Sequence, residues 1–150
     1  MLKSLTLLYI EDDKSTVRSF LNAFGEYFQE VFVALNAEEA LELFAKHSPS
    51  IIITDLQLPK MSGLEMISQI RQTRPDIPII VNSAFSDTHL LLRSIALHVD
   101  SYVLKPTDPA QLLHVLGNAA KIITLEKKQS STTKRHSNGI KTKTHKPIWN

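Results

Sequence analysis

Ile51-Ile52-Ile53-Thr54-Asp55-Leu56-Gln57-Leu58-Pro59-Lys60-Met61-Ser62-Gly63 is a β-branched run that ends in a carboxylate and breaks at a proline and a glycine. Residues 50–54 are apolar on both faces, the pattern of a strand covered from both sides in the middle of a parallel sheet. The loop with Pro59 and Gly63 leads into helical spacing over about 64–74.

The same alternation extends to both ends of the chain. Residues 5–10 form a first strand, and residues 14–28 a helix with Val17, Leu21, Phe24 and Phe28 on one face. Val31–Ala34 is a second strand. Asn36 then opens a helix, with Glu39 in capping-box spacing and Leu41 and Phe44 facing inward. Residues 78–82 are a fourth strand, Ser86 or Asp87 caps a helix to about 97, and residues 101–104 are a fifth strand. Asp108 and Pro109 are a cap and first-turn pair opening a last helix to about 126. This is (βα)₅: an α/β domain with a single doubly wound parallel sheet in order 2-1-3-4-5, flavodoxin-like.

Composition excludes several classes. The absence of cysteine removes disulfides and thiolate metal sites and suits a reducing, cytoplasmic setting. No apolar stretch approaches the roughly 18 residues of a membrane span. The N-terminal apolar run ends in three acids, unlike a secretory signal. The net charge of +2 divides unevenly: residues 1–125 hold ten Lys/Arg against fourteen Asp/Glu, and residues 126–150 seven against one. The domain is therefore expected over 1–126, with 127–150 a basic tail or linker, disordered from Gln129 to Gly139 because it has little to bury. A nucleic-acid or anionic-surface contact is the alternative for the tail, but no helix-turn-helix or zinc-finger spacing supports it.

The chemistry collects at the strand ends. In such sheets the active edge lies beyond the strand C-termini. Glu11, Asp12 and Asp13 follow the first strand and Asp55 the third. Carboxylates that close repel, and the cluster is tolerable with a cation in it; hard oxygen donors with room for water suit Mg²⁺. Ser83 follows the fourth strand, where a hydroxyl reaches a phosphoryl oxygen, and the small Ala84 leaves space. Lys105 follows the fifth, where an ammonium pairs with carboxylate and phosphate; the bond to Pro106 is a candidate cis peptide that would fix its direction. Each residue alone has an ordinary explanation: a turn-capping Asp, a Ser bonding its own backbone, a surface Lys. Together they form one constellation.

The chain resembles the response-regulator receiver domains of two-component signalling, through Tyr9-Ile10-Glu11-Asp12-Asp13, Ile53–Gly63, Val81-Asn82-Ser83-Ala84 and Tyr102-Val103-Leu104-Lys105-Pro106. The resemblance covers about residues 3–124. It implies that Asp55 is the phosphoacceptor, attacking a phosphohistidine on a sensor histidine kinase or phosphotransfer protein. It implies that Asp12 ligates Mg²⁺ directly, Glu11 acts mainly through water, and the backbone carbonyl of Gln57 completes the protein ligands with Asp55. Ser83 and Lys105 would hold the phosphoryl oxygens, and Ser83 and Tyr102 would form the switch. It further implies an output domain or downstream protein partner, and a homodimer through helix 4, strand 5 and helix 5. No catalysis is implied beyond Mg²⁺-dependent self-phosphorylation and self-dephosphorylation. Asp13 has no assigned role and is read as a charge at the helix N-terminus. The chain is expected to be part of a longer protein.

Some positions depart from the pattern. Ser83 replaces the usual Thr and keeps the hydroxyl, and Glu11 for Asp is an accepted variant. Asn82 stands where an apolar residue is normal, so a buried side chain there needs a partner. His98 stands where Gly often follows helix 4, predicting a different turn or a strained His. Phe85 would overhang the phosphoryl group and slow its hydrolysis. Competing readings are a receiver-like interaction module that is never phosphorylated, a flavin protein and an aspartyl phosphatase. The retained site residues argue against the first. The acids after strand one oppose the second, and Gln57, two residues past Asp55, opposes the third.

Overall fold

The computed structural model describes residues 2–84 and 87–139. Five parallel strands, β1 (Thr6–Ile10), β2 (Glu30–Ala34), β3 (Ile51–Thr54), β4 (Ile79–Ser83) and β5 (Ser101–Leu104), lie in the order β2-β1-β3-β4-β5. They alternate with α1 (Lys14–Phe24), α2 (Ala37–His47), α3 (Gly63–Thr73), α4 (Thr88–Ala96) and α5 (Pro109–Gly139). The architecture is the expected doubly wound, flavodoxin-like sheet. The run Ile51–Ile53 shows why. Ile51 and Ile53 pack with α1 and α5 residues Phe20, Phe24, Leu112 and Leu116, whereas Ile52 packs with Phe44, Met66, Ile67 and Ile70 of α2 and α3. Strand alternation thus feeds both cores, and each fully buried Ile contributes about 1.5–3 kcal/mol.

Register aligns the functional edge. Ile10 pairs with Thr54, Thr54 with Val81, and Ser83 with Leu104. The ladder continues one residue further: Glu11 donates its N–H to Ala34 O at 3.0 Å, Asp55 to Ile10 O at 3.0 Å, and Lys105 to Ser83 O at 2.9 Å. The backbones of Glu11, Asp55 and Lys105 are therefore fixed before their side chains are considered.

Several local expectations are corrected. The first α-helix stops at Phe24, and a 3-10 turn over Gly25–Tyr27 leads on to Phe28, which is buried outside the helix. Phe20, not Leu21, faces the core; it stacks on Tyr9 with ring centroids 3.9 Å apart, while Leu21 is 37% exposed. One residue is 100° of helix, enough to turn Leu21 off the face shared by Val17, Phe20 and Phe24. The last helix runs to Gly139 rather than to about 126. The polar composition of residues 129–139 removes a reason to bury, but between Gly117 and Gly139 there is neither Gly nor Pro to break the helix. Residues 140–150, with Trp149, lie outside the described residues.

The caps follow the sequence. Asn36 Oδ1 accepts from Glu39 N at 2.8 Å, and Glu39 reaches back to Leu35 N at 3.5 Å, one residue before the capping-box position. Asp13 caps α1, accepting from Ser15 N and Thr16 Oγ1, and Asp87 caps α4. His98 takes the left-handed conformation with φ 59°.

Arg71 braces that turn from α3. Its guanidinium donates to Ile77 O at 2.6 Å, His98 O at 2.8 Å and Leu97 O at 3.0 Å. It lies 3.7 Å from Asp100 Oδ2, which itself accepts from Ile79 N. Arg71→Ala leaves these carbonyls without their cationic donor and is expected to cost about 2–4 kcal/mol. A urea midpoint measurement checks it, and Arg71→Lys should recover little because one ammonium cannot span three carbonyls.

Candidate functional site

The sheet's C-terminal edge brings together carboxylate oxygens of Glu11, Asp12 and Asp55, one from each lying within 4.8 Å of the others. Glu11 and Asp55 are buried and Asp12 is exposed. Lys105 reaches into the group from the end of β5. Its Nζ donates to Asp55 Oδ2 at 2.9 Å and forms a short ion pair with Glu11 Oε1. With all four ionised, three carboxylates and one ammonium leave a net charge of −2. That charge and the hard oxygen donors fit one divalent cation of the Mg²⁺ type.

The electrostatics carry the mark of this imbalance. Burial pushes the Glu11 carboxyl above its ordinary value, and the hydrogen bond from Lys105 only partly offsets this. Burial by itself would lower the Lys105 ammonium, but its bonds to Glu11 and Asp55 outweigh that and hold it above the usual lysine value. One ammonium thus serves two carboxylates.

The remaining expected residues are placed as follows. The Gln57 backbone N–H donates to Asp55 Oδ1 at 3.1 Å, fixing one face of the carboxylate. Ser83 is fully buried at the end of β4, and a side-chain hydrogen bond links it to the partly buried Tyr102. Burial raises the Tyr102 phenol above its ordinary value. Asp13 is turned away into its cap. Phe85 lies outside the described residues. The Lys105–Pro106 peptide is cis.

Asn82, at 5% exposure, has the partners its burial requires. Its Nδ2 donates to Val103 O at 3.0 Å and its Oδ1 accepts from Thr107 Oγ1 at 3.2 Å. Thr107 carried no signal in the sequence, because its role depends on Asn82 across the sheet. Gly63 was legible only as a loop break. Its actual constraint is contact: a Cβ there would lie 2.6 Å from Asp55 O.

Among the described residues no helix is long and apolar enough to cross a membrane. Residues 7–117 match the response regulator receiver domain family. The chain is 31% identical over 123 residues to the transcriptional regulatory protein HptR of Staphylococcus aureus (strain NCTC 8325 / PS 47), a match covering 79% of this chain and 48% of that protein. An uncharacterised response regulatory protein of Staphylococcus epidermidis is 33% identical over 109 residues, covering 70% of this chain and 43% of its own. The chain thus spans about half the length of the curated relatives it matches. Among solved structures, the N-terminal domain of an uncharacterised protein from Wolinella succinogenes superposes with a TM-score of 0.77 at 33% identity, covering 82% of this chain and 99% of that one.

Proposed function

The chain belongs to the response regulator receiver domain family, and on that premise we propose that it takes a phosphoryl group onto Asp55 and reads out the added charge through Ser83 and Tyr102. The observation that carries this is the Lys105 ammonium bonded to Asp55 inside an acidic group with an excess of two negative charges. The donor is a phosphohistidine on a sensor kinase or phosphotransfer protein. An Asp55 carboxylate oxygen forms the new P–O bond as the P–N bond breaks, and the imidazole leaves with the electron pair and takes up a proton. The nucleophile is already ionised, so positioning and charge neutralisation suffice. Mg²⁺, held by Glu11, Asp12, Asp55 and the Gln57 carbonyl, would supply neutralisation of the phosphoryl oxygens. Lys105 holds a second oxygen as a point charge, and the Ser83 hydroxyl a third. Turnover is limited to this self-phosphorylation and the hydrolysis that reverses it.

Phosphorylation adds about −1.5 to −2 charge. Ser83 Oγ, drawn to it, leaves Tyr102, and the ring is released from the hydroxyl it now bonds. Leu92 and Ile95 on α4 (58% exposed each) and Leu104 on β5 (45%) are exposed apolar side chains on the helix before Tyr102 and on the strand that carries it. Their exposure is compatible with a cytoplasmic output domain, partner protein or second copy docking on α4, β5 and α5 as the reader of the switch.

Incubation with a small phosphodonor and Mg²⁺ is expected to label the protein, with the phosphoryl group on Asp55 by mass spectrometry. Labelling should vanish with a chelator and in Asp55→Asn. An unlabelled wild-type chain that still binds a partner would replace this reading with a phosphate-independent interaction module.

A further inference from the structure

We propose that Asn82, acting through Thr107, is a positioning residue for Lys105. The inference rests on the phosphoacceptor reading above and adds to it a pair of residues that touch neither phosphate nor metal ligand.

A lysine has a long, freely rotating stem, so Nζ meets two carboxylates at once only if the backbone it hangs from is held. Lys105 is the last residue of β5's ladder, through its N–H to Ser83 O at 2.9 Å. Pro106 follows and has no N–H to give. Asn82, the neighbour of Ser83, bridges this point. It donates to Val103 O, two residues before Lys105, and accepts from Thr107 Oγ1, two residues after it. An amide has both a donor and an acceptor; an apolar side chain at this position has neither. One buried side chain therefore clasps the Lys105 segment from both sides and ties it to the strand that carries Ser83. Both phosphoryl-holding groups are thereby set on one braced unit. A half-satisfied buried amide is costly, which favours the clasped arrangement.

The packing also makes the idea testable. Asn82 and Thr107 line a cavity of about 200 Å³ between α1 and α5, shared with Tyr9, Phe20 and Leu112. Thr107→Val and Asn82→Leu change chemistry at nearly constant volume beside this space, so the variants should fold.

Three proteins are compared with wild type: Thr107→Val, which deletes the hydroxyl at nearly constant shape, Thr107→Ser, which restores it, and Asn82→Leu, which removes both ends of the clasp. The readouts are the labelling rate with a small phosphodonor at saturating Mg²⁺, Mg²⁺ affinity without donor, and amide hydrogen exchange at Lys105. Thr107→Val should lower the labelling rate about fivefold and Asn82→Leu about tenfold or more. Thr107→Ser should stay near wild type. Mg²⁺ affinity should be unchanged throughout, and exchange at the Lys105 amide should quicken in the two clasp-breaking variants. A merely structural role would instead weaken metal binding and labelling together and gain nothing from serine. Labelling rates and Lys105 exchange equal to wild type in both variants would overturn the proposal. If the wild type is not labelled, the phosphoacceptor reading fails, and unchanged Lys105 exchange would still sink the clasp by itself.

Discussion

Lys105→Ala is expected to slow labelling of Asp55 by about 10²-fold while Mg²⁺ still binds. The ammonium is the one protein cation that contacts both Glu11 and Asp55 among the described residues, and in phosphoryl transfer it would stand over an oxygen that gains negative charge. Lys105→Arg should recover only part of the rate, since the wider planar group needs space that the buried pair of carboxylates does not offer. The same change alters the pH dependence of stability in two windows. In the wild type, Lys105 sits above its ordinary 10.5 when folded. Its contribution is therefore complete below that value and is lost as pH rises through the raised folded one. Lys105→Ala removes this alkaline loss. On the acid side, Glu11 already lies above its ordinary 4.5 when folded, because burial disfavours its charge. A carboxyl raised in this way supports the fold fully below 4.5 and less as pH climbs through its folded value. Without Lys105 the Glu11 carboxyl rises further. The variant should therefore lose stability between weakly acidic and neutral pH more steeply than wild type, and added Mg²⁺ should restore it at neutral pH. Thermal melts across pH, with and without Mg²⁺, check both limbs.

That the site could be located from sequence follows from strand physics. Side chains at the C-terminal ends of parallel strands share one edge, so Glu11, Asp12, Asp55 and Lys105 needed only correct strand ends and strand order to be brought together. The ends of β1, β3, β4 and β5 were marked sharply, because the apolar runs there give way to Glu11, Asp55, Asn82 and Lys105. Helical phase was less legible: Phe20 and Leu21 are both apolar neighbours, and only the position of Tyr9 beneath α1 selects Phe20. The extent of α5 was misjudged because burial and helix formation were treated as one question. The helix continues from 126 to Gly139 through a polar stretch with no Gly or Pro before its end. Asn82 was legible as an anomaly and His98 as a position needing the left-handed region, yet neither partner was. Thr107 and Arg71 are separated from them by 25 and 27 positions, and no local pattern links them.

Gly63→Ala is expected to destabilise the domain by about 3 kcal/mol and to weaken phosphorylation in whatever fraction remains folded. Gly63 is the first residue of α3, where alanine would ordinarily be the better helix former. Its backbone has no conformation that requires glycine, since no glycine among the described residues has positive φ. The constraint is proximity. An added Cβ would lie 2.6 Å from Asp55 O, 2.7 Å from Leu56 Cα and 3.1 Å from Leu56 O. These are backbone atoms just past the end of a strand buried on both faces, and they cannot swing aside as a flexible side chain would. Gly63 also donates its N–H to Leu56 O at 3.0 Å, so moving the helix to relieve the clash breaks that bond, and moving residues 55 and 56 displaces the Asp55 carboxylate. Gly117 supplies the comparison. Nothing lies within 4 Å of a Cβ there, and it sits inside α5. Gly117→Ala should stabilise by up to about 1 kcal/mol through helix propensity alone. Opposite signs for the two substitutions in urea unfolding would establish that close approach to Asp55, rather than backbone freedom, is what position 63 demands. A neutral Gly63→Ala would mean that the helix and the strand end can part without cost, and the site would then lack the rigid floor on which Asp55 depends.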